Sequence, residues 1–142
     1  MNNPLMHKFV AVLNKKVDQG KVMNALGHMA AGLVAKYPEK VEAMRFDSYV
    51  DADGNDHASI SDNPFIILKA KNSNKLRAFR EALIEKGVGF VDFADMMTEG
   101  TYVEQQERTR QTPESELEYY GVCAFGEAAV LNELTGKFSL WS

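Results

Sequence analysis

Three polar side chains stand at helical spacing inside an otherwise apolar stretch. Lys21, Asn24 and His28 are three and four residues apart, so they line one side of a helix. An imidazole changes charge near neutral pH, which suits it to take a proton from water. A lysine and the free amides at a helix start suit an anion. The spacing favours a catalytic or ligand-binding stripe, and the alternatives are a hydrogen-bonded core histidine and a solvated lysine.

Two more lysines precede this helix. Lys15 and Lys16 lie in the loop before it, and with Lys21 they form the only compact basic group that the sequence places near the stripe. Gly20 begins the helix, where backbone amides are unpaired. We therefore predict Lys15, Lys16, Gly20 and Asn24 as ligand-binding residues, although loop lysines are more often simply solvated.

The stripe needs a strand and a helix to position it. His7 to Leu13 is a continuous apolar run and predicts a central strand that leads into the helix. The helix is predicted to be mostly buried, with Gly27 and Gly32 packed tightly against the sheet. Its predicted buried face comprises Met23, Leu26, Ala30, Leu33 and Tyr37, and is widened by Val22, Met29 and Val34.

The rest of the chain alternates strands and helices. Pro64 to Ala70 predicts a second interior strand, and Ser73 is predicted to cap a helix that Gly87 ends. The remaining predicted elements are strands at 89–93, 119–126 and 137–141, a short turn at 39–44 and a helix at 128–134. This order predicts a single α/β domain, residues 1–142, with a mixed sheet covered by helices.

Two segments depart from that alternation. Residues 45–50 and 56–61 flank a turn-rich stretch and predict a hairpin. Asp51, Asp53 and Asn55 in the turn imitate calcium ligands, but the glycine is misplaced, so we predict no metal site. Residues 94–118 are polar, which predicts a helix in part or a flap over the site.

Composition narrows the function classes. The formal charge of −4 disfavours nonspecific attraction to nucleic acid or anionic lipid. Cys123 is the only cysteine, which excludes an internal disulfide, and its apolar surroundings predict a buried thiol without a redox role. No apolar run is long enough to span a membrane, and Met1 to Met6 lacks the pattern of a secretory signal. We expect a cytoplasmic protein.

Two resemblances start from the helix. Gly20-Lys21 and His28 resemble the first helix of the type II peptidyl-tRNA hydrolases, which carries G-K and a histidine at this spacing. The wider pattern of 8–13, 24–33 and 134–140 is similar to a family of small bacterial proteins known only as a domain of unknown function. That second resemblance spans nearly the whole chain and implies the type II peptidyl-tRNA hydrolase fold.

The hydrolase resemblance implies roles for particular residues. Lys21 and His28 match the functional lysine and histidine, whereas the hydrolase glutamine falls at Ala25. The acidic D-A-G-x-T segment of the hydrolases corresponds to residues 92–98, which lack its glycine and threonine spacing. The resemblance therefore implies Asp92 or Asp95 as the acid that orients the histidine.

The leading interpretation is a hydrolase for a small anionic acyl or ester substrate, with His28 as general base. The alternatives are a non-catalytic small-ligand or interaction protein on the same scaffold, and a peptidyl-tRNA hydrolase. We predict no cofactor, no membrane partner and only weak RNA binding, because three lysines offer few phosphate contacts. The apolar tail at 137–141 and the related hydrolases imply a homodimer.

Overall fold

Three continuous apolar runs form the centre of a five-stranded sheet. The computed structural model describes residues 6–142, so most of the stretch that we expect not to be a secretory signal lies outside the described residues. The strands are β1 (His7–Asn14), β2 (Phe46–Val50), β3 (Asp56–Ser61), β4 (Phe65–Ala70), β5 (Gly89–Ala94), β6 (Tyr119–Glu127) and β7 (Ser139–Leu140). The helices are α1 (Gln19–Lys36), α2 (Val41–Met44), α3 (Ser73–Lys86), α4 (Tyr102–Arg110) and α5 (Ala128–Leu134).

The sheet is mixed, as predicted. Its strand order is β5-β6-β1-β4-β7. Strand β1 runs parallel to β4 and antiparallel to β6, while β5 and β7 are antiparallel additions at the two edges. Because a parallel pair needs a crossover connection, α1 and the β2–β3 hairpin both lie in the chain between β1 and β4.

Helices cover both faces of the sheet. Alternate side chains of β1 point to opposite faces, so Phe9, Ala11 and Leu13 meet α1, whereas Val10 and Val12 meet α3 and α5. Both cores are continuous with buried residues of β6. The described residues therefore form a single-domain α/β fold with three layers.

The buried face of α1 agrees in part with the predicted one. Val22, Met29 and Leu33 are buried as predicted, Ala25 is buried as well, and Met23 is 59% exposed. Met23 differs because apolar residues occur almost all round this helix, and the pattern alone does not select which of them the sheet covers. The helix is also less buried than predicted.

The glycines of α1 do not serve tight packing. A β-carbon built at Gly27 or Gly32 would meet no other atom within 4 Å. The close approach lies instead on β6, where a β-carbon at Gly121 would come 2.7 Å from Met29 Cε and 2.9 Å from Leu13 Cδ2. The sheet strand, and not the helix, carries the glycine that lets α1 approach.

The N-cap of α3 is Asn72, one residue before the predicted cap Ser73. The Asn72 side chain accepts a hydrogen bond from the Lys75 amide at 3.0 Å, so Asn72 is the N-cap. Ser73 Oγ instead accepts from the Tyr119 amide at 2.8 Å. Gly87 ends the helix as predicted, with a left-handed φ of 67° that glycine adopts without strain.

The predicted hairpin is present as β2 and β3, which pair only with each other and are almost wholly exposed. Asp51 orders its turn: its carboxylate accepts from the Asp53 and Asn55 amides and contacts His57 Nε2 at 2.7 Å. These contacts hold the pKa of Asp51 at about 2, chiefly through His57. Turn chemistry accounts for this acidic cluster.

The polar segment 94–118 contains the predicted helix. Helix α4 begins at a capping box in which Thr101 and Glu104 bond each other's backbone amides. None of its residues is buried. The end of the segment is fastened to α3, because Arg77 Nε donates to Glu114 Oε2 at 2.8 Å and Arg77 Nη2 donates to the Leu117 carbonyl.

Cys123 is buried, as predicted. It lies in β6 between β1 and β5, and its exposed fraction is zero. Burial raises the pKa of the thiol to about 12. The thiol is therefore protonated and enclosed in the folded protein.

Candidate functional site

Helix α1 starts at the end of β1 and carries the predicted stripe. Asp18 caps it by accepting a hydrogen bond from the Gly20 amide at 3.2 Å. Gly20, Lys21, Asn24 and His28 then lie in the wall of one open cavity of about 660 Å³. The structure thus brings four predicted site residues together beside the first turns of α1.

His28 is exposed to this cavity. Its ring stacks on Phe93, with centroids 5.9 Å apart and planes inclined by 27°. Within residues 6–142 its ring nitrogens make no hydrogen bond. The imidazole is therefore held by an aromatic contact and remains open to a water or a ligand, unlike a hydrogen-bonded core histidine.

The opposite wall of the cavity comes from residues that the sequence did not indicate. Phe93 belongs to β5, Tyr120 to β6, and Thr98, Glu99 and Gln105 to the polar segment before and within α4. The segment 94–118 therefore flanks the site, as the flap prediction implied. Alternation along β5 could have identified Phe93, but no local signal identifies the side chains of the polar segment.

The charges in the cavity are mixed. Lys21 shares the lining with two carboxylates, Asp18 and Glu99. Asp18 is committed to the helix cap, whereas the Glu99 side chain makes no hydrogen bond or ion pair among the described residues. Glu99 is thus the cavity carboxylate without a partner among the described residues.

The two predicted orienting acids lie elsewhere. Asp92 Oδ2 accepts from Arg80 Nε at 2.9 Å on the α3 side of the sheet, because Asp92 and Phe93 are neighbours in a strand and point to opposite faces. Asp95 Oδ1 accepts from the Glu118 amide at 3.2 Å, and the Asp95 amide donates to the Glu118 carbonyl. Neither acid lines the cavity of His28.

The predicted basic group is also divided. Lys15 lines a different cavity, together with Lys69, Lys71, Lys75 and Lys137. Lys16 is exposed and lines neither cavity, while its amide donates to Asn14 Oδ1 at 2.9 Å. Only Lys21 of the predicted group is at the His28 cavity, and a larger basic cluster exists that the sequence analysis missed.

No metal site accompanies these residues in the part of the chain that the structure describes. There, no group of three or more histidine, cysteine, aspartate or glutamate side chains could hold a metal ion. No described helix is both long and apolar enough to cross a membrane.

Comparison with known proteins identifies the family. Residues 7–142 match the family described as "Protein of unknown function (DUF2000)". The chain belongs to the DUF2000 family. No curated protein matches it.

A solved structure shares the fold of this DUF2000 protein. It is described as the protein of unknown function Atu0240 from Agrobacterium tumefaciens strain C58. The TM-score is 0.81 at 15% identity, over 97% of this chain and 99% of the other. At that identity the similarity to the solved structure concerns the fold alone. The family match confirms the predicted family of unknown function, and it assigns no activity.

Proposed function

We propose that this DUF2000 protein is a hydrolase for small acyl or ester substrates and that His28 is its general base. The observation that carries the proposal is the position of His28, whose imidazole is exposed in a cavity that it shares with Lys21 and Asn24. A histidine in such a position can reach a water molecule and a substrate at the same time.

The roles of the side chains follow from their chemistry. His28 takes a proton from water as the oxygen attacks the acyl carbon, and it returns that proton to the leaving oxygen or nitrogen when the bond to it breaks. Lys21 and the Asn24 amide stabilise the negative charge on the carbonyl oxygen, and Lys21 holds an anionic group of the substrate. On this proposal Glu99, and not Asp92 or Asp95, orients the imidazole by turning its carboxylate to His28 when the substrate binds, because Glu99 alone of the three lines the cavity.

The substrate class follows from the size and charge of the cavity. A volume of about 660 Å³ lies within the range of roughly 300–1,000 Å³ for small-molecule pockets. Lys21 is the one lysine in the lining and can hold a single negatively charged group, whereas Asp18 and Glu99 in the same lining would repel a polyanion. We propose an acyl-amino acid or a comparable monoanionic ester.

A second candidate is a binding protein without catalysis on the same scaffold. It is favoured by the lack of any hydrogen bond from a described residue to His28, because general bases are usually oriented by such a partner. In this case the cavity binds the same small anion and releases it unchanged.

Turnover of generic esters and acyl-amino acids separates the two candidates. We expect hydrolysis by the wild type and a loss of about 10²–10⁴-fold in His28→Ala. His28→Phe keeps a ring to stack on Phe93 but has no basic nitrogen, and it should lose as much activity as the alanine variant. His57→Ala removes an exposed histidine of the hairpin turn and should retain full activity.

Binding without turnover by the wild type would favour the second candidate and refute the hydrolase. Full activity in His28→Phe would place the role of His28 in packing and would also refute it. Retention of activity in Asp92→Asn, together with its loss in Glu99→Gln, would support the assignment of Glu99.

We further infer the type II peptidyl-tRNA hydrolase fold, supported by the Gly20-Lys21 and His28 spacing on a first helix that follows a first strand. Superposition of the five-stranded sheet and α1 on a solved structure of such a hydrolase tests this inference. Peptidyl-tRNA hydrolysis itself remains the third alternative, and release of tRNA from a peptidyl-tRNA substrate would support it. A cytoplasmic location remains our proposal for the cell.

We also propose that the protein is a homodimer. Exposed apolar side chains on the hairpin and the tail support an interface, since Val50 is 66% exposed, Ile60 57% and Leu140 67%. Sedimentation at micromolar concentration tests it, and a monomer across that range would contradict it.

A further inference from the structure

A second cavity is lined by five lysines that come from distant parts of the sequence. Lys15 follows β1, Lys69 and Lys71 lie at and after the end of β4, Lys75 is in the first turn of α3, and Lys137 precedes β7. Ala70, Phe138 and Ser139 complete the lining. The volume is about 240 Å³, and no residue is shared with the His28 cavity.

The topology of the sheet explains why a crevice forms here. Strands β1 and β4 are parallel neighbours, and the Lys15 amide still bonds the Ala70 carbonyl at 3.0 Å where they end. The chain then passes from β1 to α1 on one face of the sheet and from β4 to α3 on the other. Ligands of open α/β sheets bind at this kind of divergence, beyond the carboxyl ends of the strands.

The charge at this crevice is not balanced. Within residues 6–142, none of the five lysines is in an ion pair with a carboxylate. Lys69 is half-buried, and the first turn of α3 contains no acidic residue. The helix dipole therefore adds to the positive potential of the lysines. This concentration of charge contrasts with a chain whose formal charge is −4.

We propose that the lysine cavity binds the oligophosphate group of a small molecule. Lysines bind phosphate as point charges, and several of them around one cavity match the several charges of a di- or triphosphate. The volume of about 240 Å³ is smaller than that of a pocket for a whole drug-sized ligand. The cavity therefore takes the phosphate chain, and any organic group attached to it extends toward solvent.

Titration calorimetry with tripolyphosphate and with ATP tests the proposal. We expect both to bind the wild type, with affinity that falls as salt rises, because exposed charges are screened. Equal affinities identify the phosphate chain as the whole ligand, and tighter binding of ATP identifies a nucleotide as its source. Failure of both to bind at millimolar concentration in low salt would overturn the proposal.

Charge-matched variants distinguish a site from general attraction. The variant with Lys71→Gln, Lys75→Gln and Lys137→Gln should bind tripolyphosphate about tenfold more weakly or worse, since it removes three charges from the cavity. Circular dichroism and the thermal midpoint should confirm that it is folded.

The matched control variant carries Lys36→Gln, Lys40→Gln and Lys86→Gln, which lie away from the cavity and remove the same charge. It should bind tripolyphosphate within about twofold of the wild type, because distant surface charges are screened. An equal loss in both variants would show nonspecific attraction and overturn the proposal, as would an RNA oligonucleotide that displaces tripolyphosphate at equal phosphate concentration.

The proposals for the lysine cavity and for the His28 cavity can be refuted independently of each other. His28→Ala should bind tripolyphosphate as the wild type does, because His28 does not line the lysine cavity. A loss of tripolyphosphate binding in His28→Ala would place the anion at His28 and overturn this proposal without refuting hydrolysis.

Discussion

The two cavities flank the same loop but differ in the charges of their linings, which are mixed in the His28 cavity and all positive in the lysine cavity. In the His28 cavity one lysine shares the lining with two carboxylates, and the aromatic ring of Phe93 stacks on the imidazole. In the lysine cavity five cations stand together without a described ionic partner. A mixed set of charges can move protons and discriminate among substrates, whereas a set of one sign can mainly hold opposite charge.

The two cavities are coupled through the loop between β1 and α1, because residues of this loop line both. Lys15 lines one cavity and Asp18 the other, so a displacement of this short connection alters both. Changes farther along α1 should affect the His28 cavity alone. Substitutions in the loop and in α1 should therefore differ in which cavity they disturb.

Asn14→Ala should disturb both cavities. Asn14 is buried, its amide donates to the Tyr119 carbonyl at 3.0 Å, and its oxygen accepts from the Lys16 amide at 2.9 Å. Removing the side chain leaves two backbone groups unpaired and should cost about 3 kcal/mol. Urea unfolding measures the loss, and unchanged tripolyphosphate binding in the folded variant would refute a shared loop.

Gly121→Ala should disturb the His28 cavity alone. The added carbon would press on Met29 and Leu13, move α1 away from the sheet and cost about 2 kcal/mol. Gly27→Ala is the matched control, because its added carbon meets nothing and should stabilise the helix by up to about 1 kcal/mol. Equal thermal midpoints for the two variants would contradict this account.

Asp18→Ala should loosen only the first turn of α1, which carries Lys21. The loss of the cap should cost about 1 kcal/mol, and Asp18→Asn should retain most of it because asparagine caps helices equally well. Thermal unfolding of the three proteins measures this order. A variant with asparagine that is as unstable as the one with alanine would indicate that charge, and not capping, is the contribution of Asp18.

Glu114→Gln should have the smallest effect, and that effect should depend on pH. The hydrogen bond from Arg77 holds the pKa of Glu114 below its usual value of 4.5. The stabilisation is therefore present above the unfolded pKa and is lost as pH falls through the folded pKa. We expect a lower thermal midpoint than the wild type at pH 7 and convergence of the two in acid, whereas Glu116→Gln should match the wild type at both.

Continuous patterns in the sequence were sufficient for most of the sheet. The apolar runs predicted β1, β4 and β6 almost to the residue, because buried strands need little from outside the run itself. Gly87 likewise marked the end of α3 through its own backbone conformation. Local chemistry determines these features.

The phase of α1 and the acids of the site depended on neighbours in space. Met23 could not be recognised as exposed, because the sheet selects among several apolar sides of the helix. Asp92 was adjacent in sequence to Phe93 of the cavity, and the alternation of a strand turns it away to Arg80. The proposal of Asp92 as an orienting acid neglected that alternation.

The lysine cavity could not be predicted from sequence spacing. Lys15, Lys69 and Lys137 are separated by dozens of residues, and they meet only because β1 is parallel to β4 and β7 joins the edge. The strand order, which the sequence pattern does not give, is what places these three lysines at the same end of neighbouring strands. The stripe of α1 was predictable because one helix holds all of it.

Cys123 is a built-in probe of how often the folded protein opens. The chain has a single thiol, in the middle of the sheet, with no access to solvent and with a pKa raised to about 12. Cys123 packs in the core between the sheet and α1, so a disulfide reagent can react with it only after this core has opened. The labelling rate therefore measures how often the core opens. Both cavities border β1 and its neighbouring strands. A ligand bound in either cavity should therefore lower the labelling rate of Cys123, by a factor that depends on how much more tightly it binds the folded state than the opened state.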